Sequence, residues 1–195
     1  MSRARAEIIE DTRARLIASA RQAFAEQGYA HTSMDDFTAR AGLTRGALYH
    51  HFGDKKGLLA AVVAQLDSEM DARLQHITDQ ASDPWDGFCE RCRAYLRMAQ
   101  DPEIQRIVLQ DAPAVLGDPG SQGQQQCVNS LRLLLDELMQ AGLIEQASSQ
   151  ALARLINGSL VNAALWIAQD EPPGQRLEDA LHGLELLLRG LKPGA

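Results

Sequence analysis

The sequence predicts an all-α protein, with a three-helix amino-terminal unit containing a helix-turn-helix and a larger helical domain behind it. Three observations lead there. Apolar residues recur at spacings of three and four from end to end, no convincing period-two run of β-branched residues is found, and segments are punctuated by Ser, Thr or Asp before a run and Gly after it. The boundary is placed at residues 1–56 and 57–195.

The first helix is predicted over residues 10–27, with Leu16, Ile17, Ala20 and Phe24 on one side and Gly28 closing it. Ser33-Met34-Asp35-Asp36 reads as a capping box with Asp in the reciprocal position, opening a short helix to Arg40. Ala41-Gly42-Leu43 is a tight turn, and Thr44 caps a third helix to Phe52. Short turns between the second and third helices fit a helix-turn-helix. Asp54 caps a fourth helix to about residue 79, and Asp83-Pro84 and Asp101-Pro102 open helices to about residues 100 and 110. Pro113, Gly117, Pro119, Gly120 and Gly123 mark a loop. Further helices are expected over residues 124–140, 149–169 and 175–191.

With 195 residues, 45% of them hydrophobic, the chain has material for one or two cores and is not composed like a disordered segment. Charges at the amino terminus and the lack of an apolar run approaching about 18 residues lead to the expectation of a soluble, cytoplasmic protein with no membrane partner. Three cysteines, an odd number, read as thiols rather than a disulfide framework. The net charge of −7 is uneven. Residues 1–56 carry nine Lys and Arg against seven Asp and Glu, whereas residues 57–195 carry ten against nineteen.

The basic groups of the front part gather in "AGLTRGALYHHFGDKKGLL", residues 41–59. At about 100° per residue, Arg45, Tyr49, Gly46 and His50 share one side of the third helix, and Ala47, Leu48, His51 and Phe52 share the other. The second side can pack while the first presents an arginine able to fork onto guanine, a glycine that permits close backbone approach, and Tyr and His donors for phosphate. Lys55 and Lys56 follow the Asp54 cap at the helix end where positive charge is unfavourable by a few tenths of a kcal/mol, a conflict that a bound phosphate would remove.

Residues 12–59 resemble the amino-terminal DNA-binding domain of the TetR/AcrR family of bacterial transcriptional regulators. The resemblance rests on the striped first helix closing at Gly28-Tyr29, the Thr32-Ser33 cap, Ala41-Gly42-Leu43-Thr44, and then Gly46, Leu48-Tyr49-His50-His51-Phe52 and Lys55. It implies a homodimer on an inverted-repeat operator in double-stranded DNA, most often a repressor, released by a small-molecule effector whose identity the sequence leaves open. Carried over by position, Ser33, Thr44, Tyr49 and Lys55 would bind phosphates, and Arg45, Gly46 and His50 would face bases or adjacent backbone. Phe37 stands where many members have a smaller aliphatic residue, and Asp54 where serine is frequent. Residues 57–195 would then be the ligand-binding and dimerisation domain.

That domain is less diagnostic. Trp85, Phe88, Cys92, Tyr95 and Ala99 form one stripe that suits plain core or a pocket wall. In the pocket reading Trp85, Phe88, Cys92 and Tyr95 contact the ligand, with Asn162 and Trp166 facing them. Cys89-Glu90-Arg91-Cys92 lacks the second ligand pair of a zinc site and the βαβ setting of a redox motif, so no metal or cofactor is expected. No nucleophile-base-orienter set and no phosphate-cradling glycine loop suggests an enzyme. Apolar residues on several sides of residues 152–167, with Gly158 and Ala164 permitting close approach, and the leucines of the last helix point to a four-helix bundle shared by two subunits.

Overall fold

A computed structural model of the chain describes residues 2–117, 122–169 and 174–194. All regular elements among them are helical: α1 (Ser2–Gln27), α2 (Met34–Ala41), α3 (Arg45–Phe52), α4 (Lys55–Gln80), α5 (Pro84–Met98), α6 (Ala112–Leu116), α7 (Gln122–Gln140), α8 (Ser149–Ile167) and α9 (Gln175–Arg189). A 3₁₀ turn covers Tyr29–His31, and a π-helical stretch, Ile104–Asp111, precedes α6. Among the described residues no helix is long and apolar enough to cross a membrane.

The chain divides into two compact units, one of Met1–Leu66 with Gln105–Asp118, the other of Asp67–Ile104 with Pro119–Ala195. The expected boundary at residues 56 and 57 falls inside the first unit, which keeps the opening turns of α4 and takes in a later segment. The reason is packing: Leu58, Leu59, Val62 and Leu66 of α4, and Ile107, join Leu16, Phe24, Phe37 and Leu48 in one buried cluster. Phe37 meets Phe24 edge to face with ring centroids 5.1 Å apart, so the larger residue at this position fills the centre of the core.

The caps explain the boundaries. The Ser33 hydroxyl accepts from the Asp36 amide at 3.3 Å while the Asp36 carboxylate accepts from the Ser33 amide at 2.8 Å, a reciprocal box that starts α2. Gly42, at φ 63°, ends it in the left-handed conformation. Thr44 caps α3 by accepting from the Ala47 amide, and Asp54 caps α4 by accepting from the Gly57 amide at 2.7 Å.

The second unit is organised around α5, which packs against α7, α8 and α9, while α8 also packs on α7 and α9. Phe88, Cys92 and Leu96 of α5 and Ala99 just after it are buried, as are Leu135 and Leu138 of α7, Leu160, Ala164 and Ile167 of α8, and Leu184 and Leu188 of α9.

Three expectations differ from the structure in detail. α1 begins near the amino terminus rather than at residue 10. The helix expected to end near residue 110 instead continues through π-helical turns into α6, because Pro113 sits in the first turn of α6, where a missing N–H costs nothing. Ala164 is buried within the unit, whereas Gly158 lies open, with nothing within 4 Å of where a Cβ would be. Pro119 and Gly120 of the expected loop, and Glu171-Pro172-Pro173, lie outside the described residues.

At Gly57 a Cβ would meet the carbonyl oxygen of Phe52 at 2.0 Å. Gly57→Ala is therefore expected to force the α3–α4 turn apart and to cost about 1–3 kcal/mol, read as a lower urea midpoint. An unchanged midpoint would remove that close approach.

Candidate nucleic-acid interface

Each residue of the expected recognition face is placed by the cap-and-core arrangement just described. Leu48 is buried, anchoring α3 by one side; Arg45, Gly46, Tyr49 and His50 are exposed on the other, with Tyr49 53% exposed. The Thr44 and Ser33 hydroxyls mark the amino-terminal ends of α3 and α2, where free amides favour an anion. Arg45 is not idle: its Nε and Nη2 both donate to the Asp35 carboxylate in a two-pronged pair on the surface. That hydrogen bond, with the carboxylate charge behind it, raises the Arg45 pKa.

Lys55 occupies a different environment from the one its position suggests. Its ammonium donates to the Thr32 carbonyl at 2.5 Å and lies 4.2 Å from the centre of the Tyr29 ring. Burial lowers its pKa, opposed by the carboxylates of Asp111 and Asp36. Asp111 in turn accepts from the Tyr29 amide at 2.8 Å. The unfavourable position at the start of α4 is thus offset inside the protein, and an anion is not required to explain it. Lys56 beside it is exposed.

The comparisons with known proteins agree with this geometry. Residues 16–62 match the model of bacterial regulatory proteins of the tetR family, and residues 85–191 match that of the tetracyclin repressor-like carboxy-terminal domain. The chain belongs to the TetR family. It is a DNA-binding transcriptional regulator, in a family of regulators rather than enzymes. A crystal structure of a TetR-family transcriptional regulator from Pectobacterium atrosepticum is 61% identical, covers 95% of this chain and 96% of its own, and superposes with a TM-score of 0.90. The transposon Tn10 TetC protein of Escherichia coli is 28% identical over 77% of each chain. The fold is also that of SmeT, solved as a triclosan complex, at 22% identity and a TM-score of 0.72, covering 95% of this chain and 93% of that one.

In the second unit of this TetR-family chain, the six expected ligand residues do not come together. Trp85, Phe88 and Cys92 are buried on α5 and Tyr95 is half-buried there, but Asn162 is exposed and Trp166 is 43% exposed. Asn162 and Trp166 share the uncovered side of α8 with Leu155 and Gly158, since the buried side of that helix is taken by Leu160, Ala164 and Ile167. Burial pushes the Cys89 and Cys92 thiols up to about 11 and about 12, which suppresses the thiolate that metal binding or redox chemistry needs.

What the sequence reading passed over is a polar group of side chains inside this unit. Arg91 is 3% exposed and donates through Nη2 to Asp71 at 2.9 Å, leaving Nη1 buried with no hydrogen-bond partner among the described residues. Asp67, one turn before Asp71 on α4, is pushed up to about 6 by burial. Asp67 also raises the pKa of Tyr95 and, with Asp71, that of Cys127, though burial is the larger cause in both. The spacings Asp67 to Asp71 and Arg91 to Tyr95, each four residues, were the available signal.

A carboxyl whose folded-state pKa is raised binds its proton more tightly when folded. The penalty is absent below about pH 4, grows as pH rises to about 6, and is complete above that. Asp67→Asn is expected to stabilise the protein by about 1–3 kcal/mol at pH 7 and by almost nothing at pH 4. Paired urea titrations at the two values check this; a variant equally stable to wild type at pH 7 would contradict it.

Proposed function

We propose that this TetR-family protein represses transcription in the cytoplasm as a homodimer on an inverted-repeat operator, and that a small-molecule effector releases it. The observation that carries the DNA-binding part is the uncovered face of α3, where Arg45, Gly46, Tyr49 and His50 stand free of the core that Leu48 enters. In this reading Ser33, Thr44, Tyr49 and Lys55 take phosphates, and Arg45, Gly46 and His50 face bases or adjacent backbone. The first unit, which contains residues 1–56, serves as the DNA-binding domain, and the second, drawn from residues 57–195, as the ligand-binding and dimerisation domain.

Dimerisation is supported by what α8 and α9 leave uncovered. Leu155 is 67% exposed and Leu187 65%, with Trp166 and Leu186 also largely exposed, a group of large apolar side chains in one pair of helices. Asn162 and Trp166 are accordingly assigned to the subunit face, and Trp85, Phe88, Cys92 and Tyr95 to the effector side. The triclosan complex of SmeT supports a small-molecule effector for this fold. In a two-fold dimer the recognition helices must stand about 34–36 Å apart or at a multiple of that distance, so an effector that changes the separation lowers affinity without touching DNA.

Gel shift with the DNA flanking this protein's own gene tests the proposal. Specific, salt-sensitive binding to an inverted repeat is expected, and its absence would sink the reading. Lys55→Ala is expected to weaken binding to all sequences alike and to reduce the salt slope by about 0.9, one phosphate contact. A slope identical to wild type would confine Lys55 to its contacts with Thr32 and Tyr29. Leu155→Glu and Leu187→Glu place charge in the expected subunit face; sedimentation should show monomers at concentrations where wild type is dimeric, with operator affinity lost in parallel. Dimers persisting in both variants would move the interface elsewhere.

A further inference from the structure

We infer that Asp67, Asp71, Arg91, Tyr95 and Cys127 form an interior binding site for a small organic cation that also carries a hydrogen-bond-accepting oxygen. This rests on the ligand-responsive reading above and gives its effector a chemical class.

The site is built from three helices. Asp67 and Asp71 lie one turn apart on α4, Arg91 and Tyr95 one turn apart on α5, and Cys127 comes from α7. The Arg91–Asp71 pair, at 2.9 Å with the Arg91 side chain 4% exposed, joins the first two helices. A guanidinium does not discharge, so its buried Nη1 stays a donor that lacks an acceptor among the described residues. Orphaned buried donors are rare and unfavourable, which points to an oxygen brought from outside the chain.

The charge of the site selects what else that molecule carries. Two carboxylates, Asp67 and Asp71, act on Cys127 together with one guanidinium, Arg91, which pairs with Asp71. Burial keeps the Tyr95 hydroxyl and the Cys127 thiol in their neutral, protonated forms. Asp71 is engaged by Arg91, whereas the Asp67 carboxylate has no hydrogen bond among the described residues. The surplus is negative. An ammonium would compensate Asp67, and a ligand carboxylate or phosphate would add to the imbalance. Asp67 comes from α4 and the Arg91 guanidinium from α5, so the ligand's cation and its oxygen are separate groups carried on one body.

Tyramine meets this description, and 3-(4-hydroxyphenyl)propionate is its anionic counterpart of similar size. Calorimetry on the full chain should show tyramine binding at pH 7, at least tenfold tighter than the propionate. Tyramine affinity should fall about tenfold from pH 7 to pH 5, as Asp67, titrating at about 6, takes up its proton while Arg91 stays charged and Tyr95 and Cys127 stay protonated. Asp67→Asn removes a destabilising charge and should fold; it should bind tyramine at least tenfold more weakly and without that pH dependence. No binding of tyramine to wild type at millimolar concentration, equal binding of the propionate, or an unchanged Asp67→Asn variant would each overturn the site. Operator release is measured on the same samples: Asp67-dependent binding of tyramine that leaves DNA bound would preserve the site and sink the ligand-released repressor.

Discussion

The corner from Tyr29 to Thr32 is held by two opposite charges, and the geometry of the DNA-binding unit depends on it. The Asp111 carboxylate takes the Tyr29 amide, and the Lys55 ammonium takes the Thr32 carbonyl while lying over the Tyr29 ring. Hydrogen bonds to charged groups contribute about 1.5–3 kcal/mol each, more than the caps of the short helices around them. The corner joins the end of α1, the start of α2, the first residue of α4 and the π-helical stretch before α6. Because α2 and α4 flank α3 in the chain, fixing both leaves α3 few positions, and burial of Leu48 selects among them.

Within that frame the cations of the side proposed to face DNA differ in availability. Arg45 is tied to Asp35, but the pair is largely exposed, with side chains 60% and 62% accessible. Exposed pairs are worth about 0–1 kcal/mol, so a guanine edge or phosphate could take the guanidinium at little cost. Lys55 is the opposite case. To reach a phosphate it must leave a carbonyl and a ring, or share its three donors between the corner and the DNA. Any contribution it makes to the proposed DNA binding would therefore include positioning of the corner, and Lys56 is the less encumbered cation.

Local chemistry was legible in the sequence because its partners are local. The Ser33–Asp36 box, the Thr44 and Asp54 caps and the inward side of α3 follow from spacings of three and four, and each appears as read. Residues whose partners lie far along the chain were not legible. Lys55 is twenty-three residues from Thr32 and meets Asp111 only through folding, so its position at the helix start suggested an external anion. The apolar stripe of α5 read as plain core with a pocket wall as the alternative, and the structure buries most of it. Asn162 and Trp166 were assigned by type, an amide and an aromatic, but the side of α8 they occupy was settled by which of its apolar residues α5 and α7 cover. Asp67 and Asp71 of α4 and Arg91 of α5 were not legible as a group because nothing in either helix alone shows that Arg91 is buried.

A domain selected for stability alone would not keep a half-buried Asp67 ionisable. In the proposed site an incoming cation would remove that penalty, and a ligand shifts a conformational equilibrium only as far as it binds one state better than another. The size of such a shift is bounded by the difference Asp67 experiences between being paired and being alone.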